Sequence, residues 1–428
     1  MLRTRFHRVV FDDWGTSRPC IFPPMAVKSK PPAVRVVVDS EELCQGEVRM
    51  EMQNISPRQR VLRSLDHQES DRVPLDLGGI NNTSLHVKIE ERLKDHLGFS
   101  GGEPEIRSVM QQVTVVDERI AQHFQSDTRT IYFEEDRPWQ EIDEGLYIDQ
   151  WGLQYKLNPD GNYYNFCSHP LSSAETVQDI MAYEFPEPRA DVRVAGLVER
   201  AKSYGGKYCL ILEGMREPVF GTSSWLRGHT QFYLDLVSNK PMVYALLDRM
   251  LEFYMVLSDF LLERLGPYLD LVKIGDDLGS QNNLIISPAM YRELIKPRQK
   301  ALYDHIKKKG NCKILLHSCG AIRKIIPDLI EIGVDALNPV QTTAHGMQAD
   351  ELKREFGREI TFWGGGVDTQ NILPFGTPEE VRNEVKKNLE IFKPDGGYVF
   401  AQIHNIMPEV PVENIMAMYE AFHEHAAY

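Results

Sequence analysis

Several things are scarce in this chain, and each scarcity excludes something. No apolar run approaches the roughly 18 residues that a membrane span needs, and no long basic run is present. The formal net charge of −14 at pH 7 disfavours nucleic acid and anionic membranes as main partners, because both reward a positive surface. Cysteine is sparse: Cys20, Cys44, Cys167, Cys209, Cys312 and Cys319 follow no disulfide-framework spacing, and no secretory apolar segment precedes them. That pattern points to a reducing, cytoplasmic setting with thiols free or on metal. With 42% hydrophobic and 26% charged residues over 428 positions, the chain is ordinary for a globular protein with a large core. A homo-oligomer is compatible with all of this.

The first 51 residues break with the rest. Arg3, Arg5 and Arg8 give way to Asp12 and Asp13, a poor match to a transit peptide. Gly46-Glu47-Val48 before Met50 suits a purine-rich, ribosome-binding-like tract, so residues 1–51 are expected to be a disordered extension or a misplaced start, with translation beginning at Met50 or Met52. Residues 52–428 are expected to form the folded domain.

Ordered structure is expected from Ser56-Pro57-Arg58-Gln59, which supplies an N-cap, a proline at the first helical position and a capping-box glutamine. Apolar runs at 73–77, 130–133, 208–212, 271–274, 313–316, 336–338, 360–363 and 398–401 then alternate with helical patterns. Ser287-Pro288 and Thr377-Pro378-Glu379-Glu380 open two of those helices. Parallel strands joined by crossover helices close most economically, at this count, into an α/β (β/α)8 TIM barrel; an open doubly wound sheet is the alternative. Residues 134–187 interrupt the rhythm with aromatic and turn residues at a rough period of two, including Trp139, Tyr147, Tyr155 and Tyr164. They are expected to be β-hairpins inserted after the second strand, on the catalytic face.

Chemistry concentrates at the expected strand ends. His317 and Cys319 follow the fifth apolar run, and residues two apart on a strand project the same way. Imidazole and thiolate at that spacing make half a zinc site, but the same pair suits a core histidine beside a buried cysteine, since two ligands do not hold a metal. His404, after the eighth run, would be the third ligand, and two histidines with one cysteine leave a position open, as in catalytic zinc sites. A substrate contact or core role suits His404 equally. His345, after the sixth run, is a weaker spare. Asp276 and Asp277 follow the fourth run as candidate catalytic carboxylates, although adjacent residues on an extended chain face opposite ways. Gln281, Gly365, Gly366 and Asn405 are candidate substrate-binding positions, the glycines because they let backbone approach a ligand.

Arg72-Val73-Pro74, the 276–280 segment before Ile286-Ser287-Pro288 and Tyr291, Leu316-His317-Ser318-Cys319-Gly320, Gly365-Gly366-Val367-Asp368 and Pro411-Val412-Glu413-Asn414-Ile415 together resemble the uroporphyrinogen decarboxylase superfamily, from about Ser56 to the C-terminus. The resemblance implies a (β/α)8 barrel and one of two activities: decarboxylation of uroporphyrinogen, or zinc-dependent methyl transfer between a corrinoid (cobalamin) protein and an acceptor such as a thiol. Decarboxylases of the superfamily carry an arginine pair, R-Q-A-G-R, after the first strand. Here that stretch is Asp76-Leu77-Gly78-Gly79-Ile80-Asn81-Asn82, without the bidentate grip that several carboxylates need. The resemblance therefore favours the methyltransferase branch, with zinc on His317, Cys319 and His404 and a methoxy compound or thiol as donor or acceptor. His404 stands where that branch has a cysteine, which leaves the site about one charge more positive by simple counting. No D-x-H-x-x-G signature occurs, so the corrinoid is expected on a partner protein. A decarboxylase of tetrapyrrole metabolism is the runner-up, and a non-catalytic corrinoid- or tetrapyrrole-binding barrel the third reading.

Overall fold

A computed structural model describes residues 55–428. The expectations for residues 1–51 and for a start at Met50 or Met52 lie outside the described residues.

The first helix, Pro57–Leu65, begins as the capping box requires: Gln59 N donates to Ser56 Oγ at 3.2 Å and Ser56 N to Gln59 Oε1 at 2.9 Å. Seven parallel strands follow in one sheet, in sequence order: Thr128–Tyr132, Cys209–Met215, Leu271–Gly275, Lys313–His317, Ala336–Asn338, Thr361–Trp363 and Tyr398–Val399. Residues 73–77 join its two edges. Phe400 N donates to Pro74 O at 2.8 Å and Asp76 N to Phe400 O at 2.9 Å, while on the other side Asp127 N donates to Leu75 O at 2.8 Å. Pro74 has no N–H, so this strand, the first of the eight in the barrel, makes an interrupted ladder. The result is the expected α/β barrel, with strand boundaries within a few residues of the apolar runs.

The interior is layered. Ile211, Leu271, Leu315, Ala336, Trp363 and Val399 fill the lower barrel against Val61 of the first helix. Alternation along each strand then decides what points inward one step higher. Glu213 follows Ile211, Lys273 follows Leu271 and His317 follows Leu315, so the apolar floor gives way to polar side chains toward the strand ends.

The expected insertion is a four-stranded antiparallel meander, Gln140–Asp143, Leu146–Ile148, Gln154–Leu157 and Tyr164–Ser168. Trp139 stacks on Tyr155 with ring centroids 4.1 Å apart, and the Tyr155 hydroxyl donates to Asp149 Oδ2 at 2.8 Å. Tyr164 N, which donates to Met110 O at 2.8 Å, ties the meander to the segment after the first barrel strand. A short hairpin, Glu105–Ser108 with Val113–Val115, was not expected from the sequence: its strands of four and three residues are too short for a period to register. Among the described residues no helix is long and apolar enough to cross a membrane.

Candidate metal centre and pocket

Leu315 faces the barrel interior, so His317 does too, and Cys319 leaves the same strand end on the same side. His404 arrives from the loop after the eighth strand. Among the described residues, His317, Cys319 and His404 form the one group of metal-ligand type, with one donor atom from each lying within 4.8 Å of the others. His317 Nε2 and Cys319 Sγ are 3.4 Å apart, close to the edge of about 3.5 Å that zinc–nitrogen and zinc–sulfur bond lengths give in a tetrahedron.

The surroundings fix which nitrogen is available. Asn338 Nδ2 donates to Trp363 O at 3.0 Å, which turns Asn338 Oδ1 toward His317 Nδ1 at 2.6 Å. Nδ1 therefore carries the ring proton and Nε2 presents its lone pair to the centre. Burial holds both imidazoles neutral, His317 pushed down to about 3 and His404 to about 4. Asn82 Nδ2 lies 3.2 Å from both Nε2 atoms and satisfies the two lone pairs. Its Oδ1 is buried with no partner among the described residues. Burial, with Asp277 and Glu217 adding, pushes the Cys319 thiol well up; a divalent cation offsets that cost, because a coordinating thiol is deprotonated outright. By type, spacing and lone-pair direction the three donors fit a zinc ion.

Asn82 is itself held from below. Asp76, fully buried, accepts from Thr128 Oγ1 at 2.6 Å, Trp363 Nε1 at 2.7 Å, Gly79 N at 2.8 Å and Thr83 Oγ1 at 3.0 Å. One interior carboxylate thus pins the turn that carries Asn81 and Asn82.

The two neighbouring aspartates part company. Asp277 lines the pocket and accepts from Cys319 N at 2.8 Å, with Oδ1 3.8 Å from His317 Nε2. Asp276 turns away: it accepts from Phe220 N at 2.8 Å, Gly221 N at 3.0 Å and Gln299 Nε2 at 2.9 Å. Its carboxylate caps the helix Phe220–Arg227, and burial pushes it up to about 7. Asp276, expected as a catalytic carboxylate, is thus outside the pocket lining, with its oxygens turned to that helix and to Gln299.

Glu217 stands across from Asp277. Burial and the two aspartates push its carboxyl well up, so this wall is suited to holding a shared proton. Glu217 sits at φ 39°, a left-handed backbone that non-glycine residues rarely adopt. A side chain at Gly221 would lie 1.7 Å from its Oε2, so the glycine leaves its room. Lys273 pairs with Glu213 at 3.1 Å, both buried. Arg216 has no carboxylate in ion-pair range among the described residues; it lies 5.4 Å from the centroid of Trp225 and donates to Met110 Sδ at 3.4 Å.

The remaining expected positions divide. Asn405 is buried and donates through Nδ2 to Asn81 O, beside His404. Gln281 is exposed at the rim, where Nε2 donates to Thr343 O at 2.7 Å and Oε1 accepts from Gln341 at 2.9 Å. His345 is exposed and outside the ligand group. Gly365 and Gly366, expected as substrate-binding positions, are tightly packed: a Cβ at Gly365 would meet Val340 Cβ at 2.9 Å, and one at Gly366 the Phe400 ring at 2.3 Å. Sequence reasoning missed Asn82, Glu217, Asn338 and Arg216. It also passed over Lys273, although a lysine inside the apolar run 271–274 is itself a signal.

Residues 174–425 match the family model for uroporphyrinogen decarboxylase (URO-D). Curated relatives are of two kinds. The methylcobamide:CoM methyltransferase MtbA of Methanosarcina acetivorans is 25% identical over 223 residues, 52% of this chain and 61% of that protein. The uroporphyrinogen decarboxylase of Dechloromonas aromatica is 28% identical over 201 residues, 45% of this chain and 53% of that protein. Aligned stretches cover from 20% to 61% of such relatives' own lengths. A solved methyltransferase from Methanosarcina mazei superposes with a TM-score of 0.62 at 20% identity, over 87% of this chain and 99% of that one, which speaks for the fold. The matched family model spans more than half of the sequence, from the segment before the third barrel strand to the last helix, and the chain belongs to the uroporphyrinogen decarboxylase family.

Proposed function

We propose that this protein is a zinc-dependent methyltransferase that moves a methyl group between a corrinoid on a partner protein and a small thiol or methoxy compound, in a reducing, cytoplasmic setting. The observation that carries the reading is the convergence of His317, Cys319 and His404 within 4.8 Å at the barrel's strand ends. When bound, zinc would supply Lewis acidity toward the heteroatom that gains or loses the methyl group. The chain's own residues do the rest. Asn338 fixes the His317 tautomer, Asp277 anchors the Cys319 backbone, and the Asp277–Glu217 wall takes or returns a proton at the heteroatom. The likeness to relatives named as methyltransferases supports the reading.

Decarboxylation of a substrate with many carboxylates fits less well. Lys273 and Glu213 neutralise each other across the inner pocket and Asp277 and Glu217 line it too, so among the described residues Arg216 is the one unpaired cation in its lining to grip a substrate with many carboxylates. Two assays on one preparation test the reading: cobalamin absorbance changes with thiols or methoxyaromatics, and coproporphyrinogen formation from uroporphyrinogen, each with and without a zinc chelator. Corrinoid methyl exchange abolished by chelation is expected. Porphyrinogen turnover that survives chelation, without corrinoid demethylation, overturns it.

A further inference from the structure

The site has two compartments of opposite character. The inner one holds about 80 Å³ and is walled by polar groups, Asn82, Asp277 and Glu217 among them. The outer one holds about 390 Å³ and is lined by Tyr163, Tyr164 and Phe166 of the meander, with Met110 and Met407. Met110, Gln111 and His404 line both, so the outer space opens directly onto a ligand-type histidine. We propose that the outer compartment takes a single aromatic ring, and that the substrate is an aryl compound whose oxygen or sulfur substituent points inward to His317, Cys319 and His404. The reacting end rests on the proposed function above; the ring compartment rests on the cavity itself.

Size decides between occupants. A cavity of about 150 Å³ accommodates benzene, so the inner space is too small for a ring and the outer one holds a substituted ring with room to spare. A four-ring corrin or tetrapyrrole needs several times that room and has to stay above the mouth. The lining decides between a ring and a charged chain. Tyrosine and phenylalanine faces favour an offset or edge-on ring, and two thioethers add sulfur–aromatic contacts. No lysine or arginine lines the outer compartment, so a sulfonate or carboxylate tail finds no counter-charge there. Phe166 also touches Trp225 of the inner wall, with centroids 5.3 Å apart, which carries the aromatic surface from one compartment to the next.

The test uses the full chain, zinc-loaded, titrated calorimetrically with 2-methoxyphenol, 2-mercaptoethanol and 2-mercaptoethanesulfonate, in the wild type and in Phe166→Ala, Tyr163→Ala and Arg216→Met. Tyr163 is 40% exposed, so its variant keeps the test open if Phe166→Ala misfolds. Each of the two aromatic truncations should weaken 2-methoxyphenol by about tenfold, equivalent to about 1.4 kcal/mol, and leave 2-mercaptoethanol within about twofold, with zinc content unchanged. Equal losses for both probes, no loss at all, or tightest binding by the sulfonate with dependence on Arg216 would overturn the ring compartment. Protein that holds no zinc yet binds 2-methoxyphenol with the same Phe166 dependence would sink the metal reading and keep the compartment.

Discussion

The two walls of this site are built on different principles. The barrel wall takes its groups from strand ends, where backbone ladders and buried partners fix each side chain: Asn338 behind His317, Asp277 behind Cys319, and Asp76 beneath the turn that carries Asn82. The meander wall takes its groups from a small antiparallel sheet whose outer strand Gln140–Asp143 is exposed throughout and whose internal order rests largely on aromatic contacts such as Trp139 on Tyr155. Rigid strand ends suit chemistry, which tolerates displacements well under an ångström. A partly exposed aromatic sheet suits recognition, where contact area and adaptability matter more. The same fold can then keep one wall and vary the other.

The largest expected effect tests whether the barrel wall carries the metal by itself. Cys319→Ser replaces a thiolate donor by a neutral hydroxyl, and zinc affinity measured by chelator competition should fall by at least about 100-fold, more than the loss of a supporting group. Meander fluorescence from Trp139 and Trp151 should stay as in the wild type. Retained zinc would mean that the donors are not the three named, and a collapsed meander would mean that the two walls are one unit.

A smaller effect is expected one step further from the centre. Asn338→Ala removes the acceptor that holds His317 Nδ1–H, freeing the ring to change tautomer and orientation, and should cost about 10- to 100-fold in zinc affinity. The same change leaves the Trp363 carbonyl without its donor, so a stability loss of about 1–3 kcal/mol is expected alongside. Measuring affinity and melting separately divides the two contributions; unchanged affinity with lowered melting would make Asn338 purely structural.

The barrel wall was legible in the sequence for the reason that makes it rigid. Strand alternation and parallel strand ends are simple periodicities, and they sufficed to bring His317, Cys319 and His404 together and to warn that only one of Asp276 and Asp277 could face the mouth. The packing need of the glycines after the seventh strand is tertiary and so was not legible: Val340 and Phe400, distant in sequence, leave no room for a side chain there. Asn82, Asn338, Glu217 and Arg216 are single polar residues in short turns or strand ends, and nothing local marks them. What selects them is the neighbour each finds after folding. The meander was legible as inserted hairpins from its period of two and its turn residues, but not in its register, which its turns set.

The seam between the walls gives the smallest and most discriminating effect. Glu135 shares a small cavity with Asp149, Tyr155 and Arg216, its Oε2 is buried without a partner among the described residues, and burial with the nearby Asp149 pushes its carboxyl up to about 7 from 4.5. The sign follows from proton counting. Between pH 4.5 and 7 the folded state holds a proton that the unfolded state has lost, so stability falls as pH rises through that window and stays reduced above it. Glu135→Gln removes the ionisable group and the penalty with it. Below about pH 4.5 the variant and wild type should melt together, because both states of Glu135 are then protonated. At pH 8 the variant should melt about 1–2 °C higher, the equivalent of about 1 kcal/mol in a domain of this size once partial exposure is discounted. Zinc affinity should not move, because the seam lies outside the ligand group. A variant less stable than wild type at pH 8 would mean that the ionised Glu135 is paired, with Arg216 of the same cavity the guanidinium to hold it. The seam would then be an electrostatic latch between meander and barrel, and the independence of the two walls would be lost.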